Sequence, residues 1–253
     1  MIKYHHPRYL FRRYEIMRRV KGGRCFLEIG PGNLALAQEL LDKFETGVLL
    51  DFNTTAVELI YNGLPEARKQ RLKLIIADFL TYEGFAEPFD CVVACEVMEH
   101  VEDDPAFLHK VGERMARGGQ LVLSVPARMK FWAADDELAG HFRRYEKGLL
   151  LELLTEAGFS HAEIVSYGFP FQNLIRLLRV GFARLRRRER SGWDKKRQSQ
   201  ESAFLLKRSR LTDALGLLVN RYTFYPLSLF ASLFNHLDWA EGYVATAIKG
   251  TPS

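Results

Sequence analysis

The chain has 253 residues, of which 47% are hydrophobic and 26% are charged, and its formal net charge is +5. These values are ordinary for a globular protein with a sizeable core, which excludes an extended, coreless chain and suits one large domain or one domain with an insertion. The positive charge is concentrated at the N-terminus and in residues 176–197. Such runs are solvated helix faces, or they contact anionic lipid, a phosphorylated substrate or nucleic acid.

The cysteines and the apolar tracts indicate the cellular compartment of the protein. Cys25, Cys91 and Cys95 form no CxxC pair, which predicts reduced thiols. The charged N-terminus predicts no signal peptide, and the longest apolar tract, YTFYPLSLFASLFNHL, contains Pro226 and is shorter than the roughly 20 residues of a spanning helix. We therefore expect a cytoplasmic protein, either free or at the inner face of a membrane.

From residue 24 to residue 127, short apolar runs alternate with helical patterns, which is typical of a parallel sheet covered by helices on both faces. The predicted strands are RCFLEIG, TGVLLDF, LKLIIAD, FDCVVACEV and GQLVLSVPA. The predicted helices are LALAQELLDKF, TTAVELIYNG, a weak one near residues 80–86, and DPAFLHKVGERMARG, with Asp104 as its N-cap and Gly118 as its C-terminal stop.

The rest of the chain predicts a helix, EKGLLLELLTEAG, a strand, HAEIVSYG, and a final strand, EGYVATAIKG. A strand that returns after an insertion predicts an antiparallel pair at one sheet edge. We predict an α/β, doubly wound, Rossmann-like fold with a seven-stranded mixed sheet. Its segments are a core with a basic N-terminal helix (1–168), a helical basic and apolar insertion (169–240), and the last strand and tail (241–253).

The segment FLEIGPGNLALAQEL lies where the first strand turns into the first helix of the sheet. Gly30 and Gly32 permit a tight turn that a ligand can approach closely. Because GPGNLA also matches the G-x-G-x-x-A dinucleotide fingerprint, the motif alone leaves an NAD-dependent oxidoreductase open. Glu28 at the mouth of the turn would repel a pyrophosphate and favours a cationic amino-acid group.

Carboxylates also end the next three predicted strands. Asp51, with Phe52 beside it, is placed to accept hydrogen bonds from a ribose diol. Asp78 is placed to accept from an exocyclic adenine amine, with Phe79 to cover a ring, and Glu96 ends the fourth strand. In open α/β sheets ligands bind at this edge, so the pattern predicts a nucleoside site there.

Taken together, these stretches resemble the class I S-adenosylmethionine-dependent methyltransferases, in particular the small-molecule group of ubiquinone biosynthesis. The resemblance is carried in order by FLEIGPGN, VLLDFN, IIADF, FDCVVACEVMEHVEDD, GGQLVLSVPA and GHFRRY. It implies S-adenosylmethionine as cofactor, with Glu28, Gly30 and Gly32 along the methionine part, Asp51 at the ribose, and Asp78 with Phe79 at the adenine. The family usually has a third glycine where this chain has Leu34, which predicts a tighter turn or a shifted cofactor.

The sequence CEVMEH places Glu96, Glu99 and His100 at spacings that share one face of a helical turn, and His141 follows the fifth strand at the same edge. Methyl transfer needs a positioned acceptor, and a hydroxyl acceptor must lose its proton. Two subgroups of the resembling family, the O-methyltransferases of ubiquinone biosynthesis and the small-RNA 3′-end 2′-O-methyltransferases, hold a divalent metal with E-x-x-E-H at this place.

Three interpretations of these residues stay open. In the first, Glu96, Glu99, His100 and His141 bind Mg²⁺, Mn²⁺ or Zn²⁺, which lowers the pKa of an acceptor oxygen. In the second, His100 is a metal-free base, with Glu99 and His141 in the same catalytic group. In the third, Glu96 closes the cofactor pocket and the others only support the helix.

The acceptor side is predicted from SVPARMKFWAADDELAGHFRRY. Phe131 and Trp132 are expected to wall an aromatic or lipid substrate or else to pack in the core. Arg143, Arg144 and Tyr145 form a donor cluster for phosphate or carboxylate. The alternative is an ion pair with an acid of residues 135–137.

The insertion bears on the partners. FPFQNLIRLLRVGFARLRRR interleaves leucines with arginines, as an interfacial helix does, and Pro170 is expected at its start. LGLLVNRYTFYPLSLFASLFNHL fits a lid, a dimer surface or a membrane-facing patch. We expect O-methylation of a small or lipid-linked acceptor, with peripheral membrane contact or a homodimer as further expectations. The alternatives are an RNA 2′-O-methyltransferase, although nucleic acid is the less favoured partner, an NAD-dependent oxidoreductase and a non-catalytic membrane-surface scaffold.

Overall fold

The computed structural model describes residues 4–52, 54–186 and 216–250. The strands are β1 (Gly23–Ile29), β2 (Phe44–Asp51), β3 (Leu72–Ile76), β4 (Phe89–Cys95), β5 (Met115–Pro126), β6 (Phe159–Ser166) and β7 (Gly242–Lys249). The α-helices are α1 (Pro7–Arg19), α2 (Ala35–Leu40), α3 (Thr54–Asn62), α4 (Glu66–Lys69), α5 (Asp104–Glu113), α6 (Ala134–Ala139), α7 (Lys147–Glu156), α8 (Phe171–Arg186) and α9 (Tyr225–Ser232). Short 3-10 helices cover Met98–His100 and Met129–Phe131.

All seven strands form one sheet in the order β3-β2-β1-β4-β5-β7-β6. The pairs β3–β2, β2–β1, β1–β4 and β4–β5 are parallel. β7 runs antiparallel to β6, because the Gly250 N–H donates to the Gly158 oxygen at 3.1 Å and Ser160 Oγ donates to the Ile248 oxygen at 3.3 Å. The predicted seven-stranded mixed sheet is therefore confirmed, and the carboxyl ends of β1 to β4 lie at one edge.

The chain folds into two compact units. The sheet unit comprises Arg19–Val125, Lys147–Ile164 and Ala245–Ser253, and the helical unit comprises Met1–Arg18, Pro126–Glu146 and Val165–Val244. The predicted segments 1–168, 169–240 and 241–253 follow chain order and stay a prediction.

Continuous apolar strands form the core of the sheet unit. In β4, Val92, Val93 and Ala94 are completely buried, which is the pattern of a parallel strand covered on both faces. Burial raises the pKa of the Cys91 thiol well above its usual range. Cys91 forms no disulfide, and neither does Cys25 or Cys95.

Aromatic side chains organise the helical unit. The Phe11 ring of α1 stacks on Phe171 of α8, with centroids 5.8 Å apart, and meets Phe224 edge-on at 5.6 Å. Pro170 directly precedes α8, where the sequence predicts it.

The start and the end of α5 differ from the sequence prediction. The N-cap is Asp103 and not Asp104, because the Asp103 side chain accepts the Ala106 N–H at 2.9 Å. The helix ends at Glu113, and Gly118 lies inside β5 instead of terminating a helix. The reason is tertiary: Met115 pairs with Phe89 of β4, so residues 115–118 extend the sheet.

The predicted helix near residues 80–86 is wrong. Asp78 closes a turn instead, since its Oδ1 accepts the Leu80 N–H at 2.9 Å and its backbone oxygen accepts the Tyr82 N–H at 3.0 Å. The four-residue helix α4 lies upstream, where the sequence pattern predicts none. Across the described ranges, none of the helices is long and apolar enough to cross a bilayer.

Candidate functional site

The turn after β1 has left-handed backbone at three of five positions. The φ angles of Gly30, Gly32 and Leu34 are 66°, 52° and 57°. A Cβ on Gly30 would lie 2.7 Å from Cγ2 of Val97, whereas a Cβ on Gly32 would have no described heavy atom within 4 Å. Gly30 is therefore required by packing as well as by conformation, and Gly32 leaves the turn open to a ligand.

Leu34 occupies the position where the family usually has its third glycine. It is the N-cap of α2, it is fully buried, and its N–H donates to the Pro31 oxygen at 2.9 Å. A leucine with left-handed backbone raises the free energy of the fold by about 1–2 kcal/mol. Burial of the Leu34 side chain lowers the free energy by a similar amount and so offsets this strain. The chain thus keeps glycine-like backbone here without a glycine.

The carboxylates predicted for the cofactor lie at the ends of β1, β2 and β3. Glu28 is 3% exposed and pairs in register with Leu49 and Val93 of the neighbouring strands. Asp51 is the last residue of β2 and is half-buried. Asp78 uses Oδ1 for its own turn, at the Leu80 N–H.

The two aromatic residues predicted beside these carboxylates differ in exposure. Phe52 is 41% exposed, whereas Phe79 is 5% exposed and packs edge-on against Phe107 with centroids 5.4 Å apart. The structure therefore gives Phe79 a core contact, and its role at an adenine ring stays a prediction.

The exit of β4 carries a backbone outlier. Glu96 has a φ of 56°, its N–H donates to the Ser124 oxygen at 2.9 Å, and the Ser124 hydroxyl donates to Glu96 Oε1 at 3.2 Å. A left-handed glutamate is strained by about 1–2 kcal/mol, and such strain concentrates at functional sites. Ser124 is a contact that sequence reasoning missed; its position at the end of the next strand was the available signal.

Glu99 and His100 lie on the 3-10 helix that follows this outlier. Glu99 is completely buried and His100 is half-buried. Val97, which immediately precedes the 3-10 helix, is the residue whose methyl group approaches Gly30. The E-x-x-E-H turn is thus packed against the glycine turn at the same sheet edge.

His141 belongs to the helical unit, where its Nδ1 lies 2.9 Å from Asp136 Oδ1. Arg144 Nε donates to the same oxygen at 2.9 Å, and its Nη1 donates to the backbone oxygen of Ala127 at 3.1 Å. Asp136 is 1% exposed and Arg144 is 2% exposed. For Arg144 the structure shows the predicted alternative, an ion pair with an acid of residues 135–137.

The pKa of Asp136 reflects this pairing. Burial raises it, but the hydrogen bond with His141 and the positive charge of Arg144 lower it more, so that the pKa falls to about 2. A carboxylate bound to one ring nitrogen also fixes the orientation of the imidazole.

The other residues predicted for the acceptor also lie in the helical unit. Trp132 and Arg143 are half-buried, and Tyr145 is fully buried with its N–H donating to the Pro126 oxygen at 3.0 Å. Their roles toward a substrate stay predictions. The four predicted metal ligands are divided between the units, with Glu96, Glu99 and His100 in one and His141 in the other, so the complete metal set stays a prediction as well.

Sequence reasoning also missed Glu241. It is 1% exposed, and its carboxylate accepts two hydrogen bonds from Arg179, at 2.9 and 2.6 Å. The sequence feature that could have revealed this role is its pattern: Glu241 is a single acid at the start of an apolar strand, and it follows a long stretch rich in arginine.

A family model described as a methyltransferase domain matches residues 4–164, well over half of the chain. The chain belongs to this family. Together with the seven-stranded sheet, the match identifies a class I S-adenosylmethionine-dependent methyltransferase domain. The ubiquinone-biosynthesis subgroup stays a prediction.

Two similar proteins are named as methyltransferases. A probable S-adenosylmethionine-dependent methyltransferase of Mycobacterium tuberculosis is 26% identical over 157 residues, 60% of this chain and 56% of that protein. (S)-coclaurine N-methyltransferase of Papaver somniferum is 33% identical over 109 residues, 40% of this chain and 29% of the relative. The chain thus spans less than two thirds of either relative.

Solved structures support the fold. Phosphoethanolamine N-methyltransferase 2 of Haemonchus contortus, in complex with S-adenosylmethionine, has a TM-score of 0.57 at 15% identity, covering 94% of this chain and 52% of that one. The YcgJ protein of Bacillus has a TM-score of 0.59 at 12% identity, covering 97% of this chain and all of its own.

The residues at the sheet edge fit S-adenosylmethionine. Glu28, a buried carboxylate in β1 four residues before the open position at Gly32, would complement a cationic amino group. Asp51 ends the next strand, where a ribose diol would bind. When bound, the cofactor supplies an electrophilic methyl group on a sulfonium. The chain itself must therefore supply the binding site for the cofactor and the orientation of the acceptor.

Gly30→Ala is predicted to weaken cofactor binding. The new methyl group would collide with Val97 and would sit on backbone with a φ of 66°, so the turn must shift. Strain of about 1–3 kcal/mol corresponds to a loss of S-adenosylhomocysteine affinity of about 5- to 160-fold in calorimetry. Gly148→Ala, at a position with no described atom within 4 Å of the new Cβ, is the control and should leave the affinity unchanged. Equal affinities for the two variants would contradict the prediction.

Asp136→Asn is predicted to destabilise the protein by about 3 kcal/mol at neutral pH, because Arg144 would lose its buried counter-charge. The folded-state pKa of Asp136 is about 2 and the ordinary value is 3.8, so the stabilisation is fully present above 3.8 and is lost as the pH falls toward 2. Denaturant unfolding should therefore show a gap between wild type and variant that closes over this range. Glu137→Gln, on the half-exposed side of α6, should cost under about 1 kcal/mol. A gap that is independent of pH would contradict the assignment.

Proposed function

We propose that the protein transfers a methyl group from S-adenosylmethionine to an oxygen atom of a small or lipid-linked acceptor. The observation that carries this proposal is the packing of Val97 against Gly30, with the buried Glu99 and half-buried His100 on the 3-10 helix that follows Val97. A base and a carboxylate lie next to the turn that holds the methionine part in the family. This arrangement suits an acceptor that must be deprotonated as it attacks.

His100 is the proposed base. An imidazole changes its protonation state near neutral pH and removes a hydroxyl proton effectively when it is correctly oriented. The neighbouring Glu99 is completely buried, and a buried carboxylate beside an imidazole favours the protonated ring that forms when the proton arrives. The proton from the acceptor would thus rest on His100, while the acceptor oxygen takes the methyl group.

A metal-assisted route to the same deprotonation uses the same turn. Two carboxylates and an imidazole, from Glu96, Glu99 and His100, have the donor chemistry that Mg²⁺, Mn²⁺ or Zn²⁺ accepts. A bound cation would lower the pKa of an acceptor hydroxyl, and His141 is the proposed fourth ligand.

Two other acceptor classes are supported by separate observations. The relatives named above include N-methyltransferases, which supports an amine. The arginine-rich sequence supports an RNA ribose, which would show retention with a steep salt dependence.

His100→Gln is predicted to lower the methyl-transfer rate about a hundredfold, with S-adenosylhomocysteine affinity unchanged, because general-base catalysis typically contributes 10²–10⁴-fold. Transfer from labelled S-adenosylmethionine would be followed with phenol, catechol, long-chain quinol, amine and RNA acceptors, and mass spectrometry would locate the methyl group. His109→Gln, on the exposed side of α5, is the matched control and should retain full activity. A parallel loss of cofactor affinity in His100→Gln would show that the imidazole only shapes the cofactor pocket. If only the amine were methylated, the proposal of an oxygen acceptor would be wrong.

Manganese separates the two routes to deprotonation. If a metal assists, chelator-treated protein binds Mn²⁺ in an electron paramagnetic resonance titration, and both His100→Gln and Glu99→Gln abolish binding while His109→Gln does not. If His100 acts alone, manganese stays free in all four proteins and the transfer rate is unaffected by the chelator.

A further inference from the structure

Helix α8 presents its leucines to solvent. Leu174, Leu177 and Leu178 are 68%, 67% and 68% exposed, and their spacing places them on one side of the helix. Arg176 and Arg179 lie on the opposite side, where both are less exposed than the leucines. This polarity is the reverse of the usual surface helix, whose apolar stripe faces the core.

Ion pairs inside the helical unit fix this orientation. Arg179 donates to both carboxylate oxygens of Glu241 and, at 2.6 Å, to Asp135. Arg176 donates to the backbone oxygen of Phe131 at 2.7 Å, and its Nε lies 3.5 Å from Glu241. Because Glu241 is almost completely buried, turning α8 over would leave its charge without these partners.

Helix α9 shows the same reversal. Its small residues Ser228 and Ala231 are 3% and 2% exposed, whereas Leu229, Phe230 and the adjoining Leu233 are 49%, 47% and 64% exposed. If α9 only packed against the rest of the protein, its large apolar side chains would be buried in preference to its small ones.

The exposed sides of α8 and α9 are neighbours. The ring of Phe171, at the start of α8, lies 6.0 Å from the ring of Phe230 in α9. We call the surface formed by Leu174, Leu177, Leu178, Leu229, Phe230 and Leu233 the outer face.

Exposed aromatic side chains accompany the outer face. Tyr222, Tyr225 and Trp239 are 62%, 55% and 52% exposed. Tyrosine and tryptophan are the residues that concentrate where a protein meets the boundary between lipid and water.

The charge of these segments favours an anionic partner. Residues 165–186 and 216–237 contain five arginines and neither aspartate nor glutamate. Arg176 and Arg179 are already paired with Glu241 and Asp135. In a symmetric dimer the outer face would meet its own copy, and these segments would bring no acid toward the three further arginines at 184, 186 and 221. A membrane with anionic headgroups supplies both the apolar phase and the negative charge.

We propose that the outer face docks on an anionic lipid bilayer, with α8 and α9 lying in the plane of the membrane surface. Within the described part of the chain no helix could span the bilayer, so docking would be peripheral. The inference stands on the exposed side chains and charges alone, and it does not require the acceptor to be a lipid.

The test is co-sedimentation of the full-length protein with phosphatidylcholine vesicles, with and without phosphatidylglycerol, at low and high salt. Wild type should bind the anionic vesicles more strongly, and salt should weaken binding. Leu177→Glu with Leu178→Glu should lower the partition coefficient about a hundredfold, because two leucines leave the apolar layer and two negative charges enter it. Leu177→Met with Leu178→Met should retain binding.

The matched control is Leu149→Glu with Leu151→Glu on α7 of the sheet unit, where both leucines are 45% exposed. This variant should bind vesicles as wild type does. Calorimetry with S-adenosylhomocysteine on every variant separates lost docking from a damaged cofactor site.

Three results would overturn the proposal. Vesicle binding that survives both glutamates at 177 and 178 would place the lipid contact elsewhere. A wild type that ignores vesicles, but changes from dimer to monomer with these glutamates in light scattering, would make the outer face a dimer surface. A wild type that ignores vesicles and is monomeric would mean that another part of this chain covers the leucines.

Discussion

The cofactor edge depends on left-handed backbone at the points where two neighbouring parallel strands end. After β1 the chain turns through Gly30, Gly32 and Leu34, and after β4 it turns at Glu96, all with positive φ. The two turns touch, because Val97 fills the space that a side chain at position 30 would need. Close contact of this kind is possible only where one partner has no Cβ. The cofactor turn and the E-x-x-E-H turn therefore form one packed element, and a shift in either would move the other.

The strands were predictable because their apolar runs reflect burial on both faces, which is a property of the sequence itself. The limits of α5 were not, since residues 115–118 have the polarity of a helix end and became strand only by pairing with Phe89. Asp103, and not Asp104, is the N-cap because its side chain accepts the Ala106 N–H. Two adjacent aspartates in a sequence do not show which of them makes this hydrogen bond. Long-range pairing therefore decided where α5 ends, whereas a local hydrogen bond decided where it begins.

Some features of the site could likewise be predicted from the sequence, whereas others are visible only in the structure. Glu28 and Asp51 could be placed from the sequence, because parallel strands deliver their last residues to one edge. The position of Leu34 indicated a departure from the family, but only the structure shows that a leucine adopts the backbone of the missing glycine. The pairing of Arg179 with Glu241 joins residues far apart in the chain, and no spacing rule connects them.

The orientation of α8 is difficult to explain by stability alone. A buried cluster of arginine and carboxylate is rarely more stable than an apolar replacement, since desolvation offsets the attraction. Each exposed leucine also forgoes about 1.5–3 kcal/mol of burial. Turning the helix over would bury the leucines, but it would also leave the buried Glu241 without Arg179, which costs about 3–5 kcal/mol. The ion pairs therefore decide which side of α8 faces outward, and the proposed membrane surface would give the leucines the apolar environment that they lack in the folded chain.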